Sequence, residues 1–261
     1  IYGEHIVKRI AGVEKRMKEG TLCLPGKEDY GIINLGKARD ARAVPILLKI
    51  FKEYKKSNVA RREAIDALRM INDPSCIAAL KPMLYDEKEY FRENIAYILA
   101  GFKETQEDAR NYALSDIHPR VAIRVLEIIG DDRAKEVILS LSNTDNEKTK
   151  QRAAFALLKL NEKSEAFSIF SELVKNTQNL VIKGKALRGL ADIGDGKSVN
   201  ILTNTLNDKN EEIRNTAFNN LESLATAEEN KFAIQALEDV AKEHKDSEIR
   251  FKARKFLDTI Q

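Results

Sequence analysis

One leucine recurs through the chain at nearly constant intervals: Leu35, Leu68, Leu99, Leu126, Leu157, Leu190, Leu221 and Leu257. Four residues before each stand, in order, Gly31, Ala64, Ile95, Ala122, Ala153, Ala186, Ala217 and Ala253. With these as position zero, successive copies lie 33, 31, 27, 31, 33, 31 and 36 residues apart. Leucine makes up roughly one residue in ten of ordinary chains, so such a series does not arise by chance. Position +7 is apolar in every copy, from Ala38 and Ile71 to Leu224 and Ile260, and +3 (Ala67, Ile98, Val125, Ala156) widens the stripe. Apolar residues at 0, +3, +4 and +7 share one face of an α-helix. The small residue at zero lets a neighbouring helix come close.

A second helix fits within each period. Between the two lies turn chemistry, as in Asn72-Asp73-Pro74, Gly130-Asp131-Asp132 and Gly194-Asp195-Gly196. Gly ends the first helix and Asp or Pro opens the next. Residues 43–48 and 134–139 are apolar enough to be second helices, and polar loops such as Asn207-Asp208-Lys209-Asn210 lead into the following copy. No period-two pattern persists, and 12 Gly and 5 Pro are few for a turn-rich β chain. One helical hairpin cannot bury its apolar faces alone, so the copies must stack into a quasi-one-dimensional solenoid.

The hydrophobic–Arg/Lys–x–x–Ala–x–x–x–Leu helix, as in IRNTAFNNL (213–221), IRFKARKFL (249–257) and IKGKALRGL (182–190), resembles the HEAT repeat family. The short period is similar to its phycobilisome-lyase-like subgroup. The resemblance covers about residues 27–261 and implies an all-α, right-handed α-α superhelix of seven to eight hairpins. Six copies carry a basic residue at −3: Arg61, Arg92, Lys150, Lys183, Arg214 and Arg250. The family pairs this residue with an Asp six positions earlier, which implies the pairs Asp86/Arg92 and Asp208/Arg214; Thr144 and Thr177 interrupt the series. These basic residues are expected to be structural.

Residues 1–26 stand outside the repeat. Ile6, Ile10, Val13 and Met17 share a helical face, and Gly20 to Gly26, with Pro25, breaks it. A helix capping the first apolar face is expected, followed by a linker. Phe251 and Phe256 are candidates to cap the far end. The first residue is Ile, so the chain is expected to be a fragment or a processed form. It shows no signal-peptide pattern, no apolar run near the roughly 20 residues of a membrane span, and only two cysteines, Cys23 and Cys76. A cytoplasmic protein without a membrane contact is the default expectation.

The residue set offers no catalytic constellation. His5, His118 and His244 have no His or Cys at zinc-site spacing. The HEAT-type deoxyhypusine hydroxylases bind iron through His-Glu pairs, and no such dipeptide occurs here. Gly194-Asp195-Gly196-Lys197-Ser198 mimics the end of a phosphate-binding loop, but Ala191 stands where the first Gly belongs and a helix precedes it. Neither cysteine has the basic setting of a thiol nucleophile. No enzyme activity, cofactor or metal site is therefore expected.

Positions −2, −1 and +2 lie opposite the apolar stripe. In the first three copies they carry Asp29, Glu63, Asp66 and Glu93 against Arg62; in the last five they carry Arg120, Arg124, Arg152, Lys185, Arg188, Lys252 and Lys255 and no acid. Tyr97 and Phe155 stand at +2 on the same face. The resemblance implies that this helix lines the concave side of the superhelix. The expected function is a non-catalytic scaffold that binds a protein partner, with an acidic segment fitting the cationic stripe. Nucleic-acid binding by the basic half is the first alternative. The net charge of +3, from 44 Lys+Arg and 41 Asp+Glu, favours the protein partner. HEAT-like DNA glycosylases use Trp and Asp at the lesion, and this chain has no Trp. A helper subunit of a tetrapyrrole lyase is the second alternative, implied only by the subgroup.

Overall fold

Side chains at the ends of several helices decide where they start. Ser57 Oγ accepts the Ala60 amide at 3.2 Å, Asn146 Oδ1 that of Thr149 at 3.0 Å, and Asn179 Oδ1 those of Val181 and Ile182 at 3.1 and 3.2 Å. These caps satisfy donors that a helix start leaves open. Asn72 and Gly194 end their helices in the left-handed region at φ 52° and 67°. Asp73, Asp131 and Asp195 then cap the next helical segment through the amides of Ser75, Ala134 and Ser198. The left-handed residue followed by Asp is the hairpin turn.

The computed structural model describes residues 2–22, 30–55, 57–85, 88–115, 118–227 and 230–260. Among them lie sixteen α-helices and no strand. Cys23, Pro25, Gly26, Asp29 and Asp86, singled out above, lie outside the described residues. The chain forms two compact units, residues 1–129 and 130–261.

In the first unit, α1 (Tyr2–Glu19) packs on the hairpin of α2 (Tyr30–Ala38) and α3 (Val44–Glu53). Next come α4 (Asn58–Ile71) with α5 (Ile77–Leu80), α6 (Glu89–Ala100) with α7 (Gln106–Ser115), and then α8 (Pro119–Ile129). Helices α2, α4, α6 and α8 form one layer. Pro74 and Pro82 cut the second helix of its pair into α5 and two 3₁₀ turns, Pro74–Cys76 and Lys81–Met83, because proline supplies no amide hydrogen. The expected N-terminal helix is present, with Ile6 and Val13 buried against the first hairpin.

In the second unit, α9 (Asp132–Ser142) packs on α10 (Glu147–Lys159). It is followed by α11 (Lys163–Asn176), α12 (Leu180–Ile193), α13 (Gly196–Thr205), α14 (Glu211–Ala227), α15 (Lys231–Glu243) and α16 (Ser247–Ile260). Helices α10, α12 and α14 lie side by side, with α11, α13 and α15 behind them.

The repeating leucines form the core of both units. Seven are buried, from Leu35 to Leu221, and Leu257 is half-buried. Full burial of such a side chain contributes about 1.5–3 kcal/mol. Position +7 is less buried than its apolar character predicts: of the eight only Ile193 and Leu224 are fully covered. It sits in the last turn, where the helix leaves the layer. Small residues outside position zero bring α2 and α4 together. A Cβ on Gly36 of α2 would stand 2.8 Å from Ala67 Cα on α4.

The basic −3 residues fasten the layers, as expected. The buried Arg61 donates from Nε to the Phe51 carbonyl at 2.8 Å, and its guanidinium lies over the Phe91 ring at 4.2 Å. Lys150 meets Glu172 at 2.5 Å. The Asp208/Arg214 pair implied by the family is corrected. Arg214 donates to the carbonyls of Asp208 and Lys209, and the Asp208 carboxylate goes to Lys183 of the preceding repeat at 2.9 Å. The longer Arg214 side chain reaches past the carboxylate to the loop backbone, as Arg250 does at His244 and Lys245. Thr177, where the family places Asp, donates instead to Glu147 at 2.7 Å.

Candidate functional site

The cationic face divides by pairing. In the first unit Arg120 meets Glu93 at 2.5 Å and Glu89 at 3.7 Å, with His118 on Glu89 at 3.2 Å. Glu93, expected on an exposed acidic face, is buried beneath Arg120, so its carboxylate belongs to an ion pair. Arg124 meets Glu127 at 2.6 Å. Tyr97 is half-buried beside this cluster; burial pushes its hydroxyl pKa up, and the Glu93 carboxylate adds to the effect. Asp66 holds Arg69 at 3.4 Å and accepts the Tyr90 hydroxyl at 2.9 Å, with Arg62 over the Tyr90 ring. Burial, then Asp66, pushes the Tyr90 pKa up to about 12. Each charge in this unit's face named here, apart from the stacked Arg62, has an opposite partner.

The second unit differs. Arg152 on α10 and Lys185 and Arg188 on α12 are exposed and make no ion pair or hydrogen bond among the described residues. Lys252 on α16 is tied to Glu248 at 2.9 Å and Asn215 at 3.4 Å, whereas Lys255 is exposed and unpaired among them. Phe155 turns its ring on Phe170, centroids 4.8 Å apart and edge to face, so half of it is packing. Residues 130–261 hold 21 Lys+Arg against 22 Asp+Glu, a net −1, so the acid-free face is not the product of an overall positive charge on the unit.

A cleft of about 360 Å³ opens between α14 and α16. Phe218 and Phe256 line it with Asn219, Glu222, Lys252 and Lys255. Burial pushes the Glu222 pKa up, against the pull of Lys252. The sequence pointed to the two lysines, and to Phe256 only as a cap of the far end; Phe218, Asn219 and Glu222 were missed. Phe218 and Phe256 fall at +1 and +3 of adjacent copies, a juxtaposition visible only across repeats.

The remaining candidates are structural. Gly194–Ser198 is a hairpin turn, with Asp195 capping α13 rather than a loop around a phosphate. Cys76 is buried, which pushes its thiol pKa up to about 11. His244 Nδ1 accepts the Asp246 amide at 3.1 Å. Among the described residues no group of His, Cys, Asp and Glu gathers as for a metal ion, and no helix is long and apolar enough to cross a membrane.

Stacked pairs of amphipathic helices with basic residues fastening the layers define an α-helical repeat array. Residues 173–258 match the HEAT repeats family, and residues 60–86 match the PBS lyase HEAT-like repeat. The fold is similar to that of YibA from E. coli, at TM-score 0.52 and 18% identity over 90% of this chain and 87% of that one. The complex of CpcE and CpcF of phycocyanin lyase from Nostoc sp. PCC7120 aligns at TM-score 0.46 and 18% identity over 89% and 88%. Human deoxyhypusine hydroxylase aligns at TM-score 0.37 and 17% identity over 75% and 78%. Comparison with curated protein sequences gives no match.

Proposed function

We propose that the chain is a non-catalytic HEAT-repeat scaffold whose second unit holds an acidic segment of a partner protein on α10 and α12. The observation that supports this reading is the unpaired state of Arg152, Lys185 and Arg188, where Arg120 and Arg124 of the first unit are neutralised internally. Cations on a preformed helical layer speed encounter and fix register more than they raise affinity. An exposed pair contributes about 0.2–1 kcal/mol, so three contacts give a weak, salt-sensitive site. The net −1 of the unit supplies no broad positive field of the kind that draws a nucleic-acid backbone, and favours a short acidic segment matched to the local patch. The lyase-helper reading has the match at residues 60–86 behind it and is tested by the visible spectrum of the purified protein.

The test is a titration of the full chain with a labelled Glu-rich peptide at low salt. Binding should fall at least about tenfold, about 1.4 kcal/mol, in the variant Arg152→Glu/Lys185→Glu/Arg188→Glu, with helicity unchanged. No binding by the unaltered chain, or equal binding by the variant, refutes the proposal. Tighter binding of single-stranded RNA or duplex DNA, with a log–log salt slope of about −0.7 to −0.9 per neutralised phosphate, would transfer the face to nucleic acid.

A further inference from the structure

We infer that the cleft between α14 and α16 takes an aromatic side chain with a polar hydrogen, Trp or Tyr, carried by the acidic segment that the cationic face holds. This inference rests on the proposed function above and identifies the kind of segment that fits. Three observations support it. The cleft belongs to the same row: Asn219 and Lys255 occupy the +2 phase of α14 and α16, as Phe155 and Arg188 do on α10 and α12. An extended segment lying across α12 therefore runs into it. The cleft also has the size for a ring, about 360 Å³, and its lining includes the half-buried Phe256 and the edge of the buried Phe218. Aromatic rings stack favourably at offset or edge geometry, and the Lys255 ammonium at the rim adds a cation over a ring face.

Glu222 makes the choice of ring more specific. It is half-buried and lines the cleft, and no hydrogen bond to its carboxylate is seen among the described residues. A carboxylate there repels a phosphate or an acidic side chain, but it accepts the N–H of an indole or the O–H of a phenol. Phenylalanine leaves that acceptor unmet. The spacing follows from helix packing. Neighbouring helices stand about 8–10 Å apart, so the middle of the cleft lies about 12–15 Å from α12. At about 3.3 Å per extended residue, the aromatic sits about four residues from the acidic block.

The experiment uses the full chain and three synthetic peptides: an octapeptide of Glu and Asp, and the same block carrying Trp at the far end of a Gly-Gly-Gly spacer on either its N- or C-terminal side. At least one Trp peptide should bind about tenfold tighter than the plain block, as burial of a large aromatic implies. The protein contains no Trp, so the emission of the peptide's indole reports its own environment and should shift to the blue and resist acrylamide. Asn219→Trp fills the cleft from an exposed position; it should remove the gain and leave the plain block unaffected. Equal affinity of all three peptides, or an indole that stays solvent-quenched in the complex, overturns the inference while the cationic face stands. Failure of the plain block to bind overturns the face itself, and the inference with it.

Discussion

Gly189→Ala perturbs the tightest contact of the second unit. An ideal Cβ at this position would lie 2.4, 2.5 and 2.6 Å from Cζ, Cε2 and Cε1 of Phe170. Carbon atoms rest about 3.5–4.0 Å apart, so the ring must retreat by about 1 Å. It has nowhere to go cheaply. Phe170 is fully buried, and its retreat also disturbs Phe155, packed on it edge to face. Overpacking of this kind costs about 1–3 kcal/mol. Against it stands the helix preference for Ala over Gly, about 1 kcal/mol inside α12. With the ring unable to move freely the packing outweighs the preference, and a net loss of up to about 2 kcal/mol is expected, up to about 8 °C in the melting midpoint for a unit of this size. Thermal unfolding followed by circular dichroism measures it. In a Phe170→Leu background the smaller side chain removes the clash, so the same substitution should become neutral or stabilising, a coupling of at least about 1 kcal/mol. A higher midpoint for Gly189→Ala alone, or an equal effect in both backgrounds, would refute the close packing of α12 on α11.

Gly36→Ala should destabilise the first unit by about 2–3 kcal/mol in denaturant unfolding, because the new Cβ meets Ala67 backbone at 2.8 Å rather than a movable side chain; Ala67→Gly should recover part of the loss. Hydrogen bonds from the Arg42 side chain and backbone hold the Asp40 carboxyl at about 2 instead of 3.8. A depressed folded-state pKa means stability that is present above about pH 4 and lost as pH falls towards 2, so Asp40→Asn should flatten the acid limb of a midpoint-against-pH curve; an unchanged limb counts against the Asp40–Arg42 contact. With Cys23 replaced by Ser, the remaining buried Cys76 thiol, its pKa near 11, should react with a thiol reagent at pH 8 only as fast as the protein opens, and rapid labelling would contradict that burial. Thr216→Glu places an acid beside α12, where Thr216 already lies within 3.9 Å of a Cβ on Gly184; pairing with Lys185 should weaken binding of the acidic peptide by about twofold to fivefold, and undiminished binding removes Lys185 from the site.

The fold was largely legible because its core repeats. A leucine that must be buried in every layer cannot drift in phase, so Leu35 to Leu221 announce the packing face from one sequence. Turn positions were legible for a similar reason: Asn72 and Gly194 take a backbone conformation that few residues adopt, and Asp73 and Asp195 have amides to cap. The division of the chain at Ile129 was not legible. Gly130-Asp131 follows the same left-handed-then-capping scheme as Gly194-Asp195, so nothing local marks it as a boundary. Nor was the splitting of the second helix around Ile77–Leu80 foreseen, although Pro74 and Pro82 carry its cause.

The site was half legible, for a reason that lies in how charges meet in a stacked array. Read along one helix, Arg120 and Arg188 look alike, exposed cations four positions apart in the same motif. Read across copies, they differ. Arg120 occupies the −2 phase, and the −2 residue of the preceding copy is Glu93, 27 residues earlier. Arg188 occupies the +2 phase, where the flanking copies hold Phe155 and Asn219; Lys185 at −1 is flanked by Arg152 and Thr216. A layer brings equal phases side by side, so the row decides whether a cation such as Arg120 meets an acid of the next helix, whereas Arg124 and Lys252 find theirs on their own helices, at Glu127 and Glu248. The rows of the first unit contain their own acids. The rows through α10 and α12 contain none, so a carboxylate that neutralises them in the same row comes from another molecule. That is the physical content of the proposed partner.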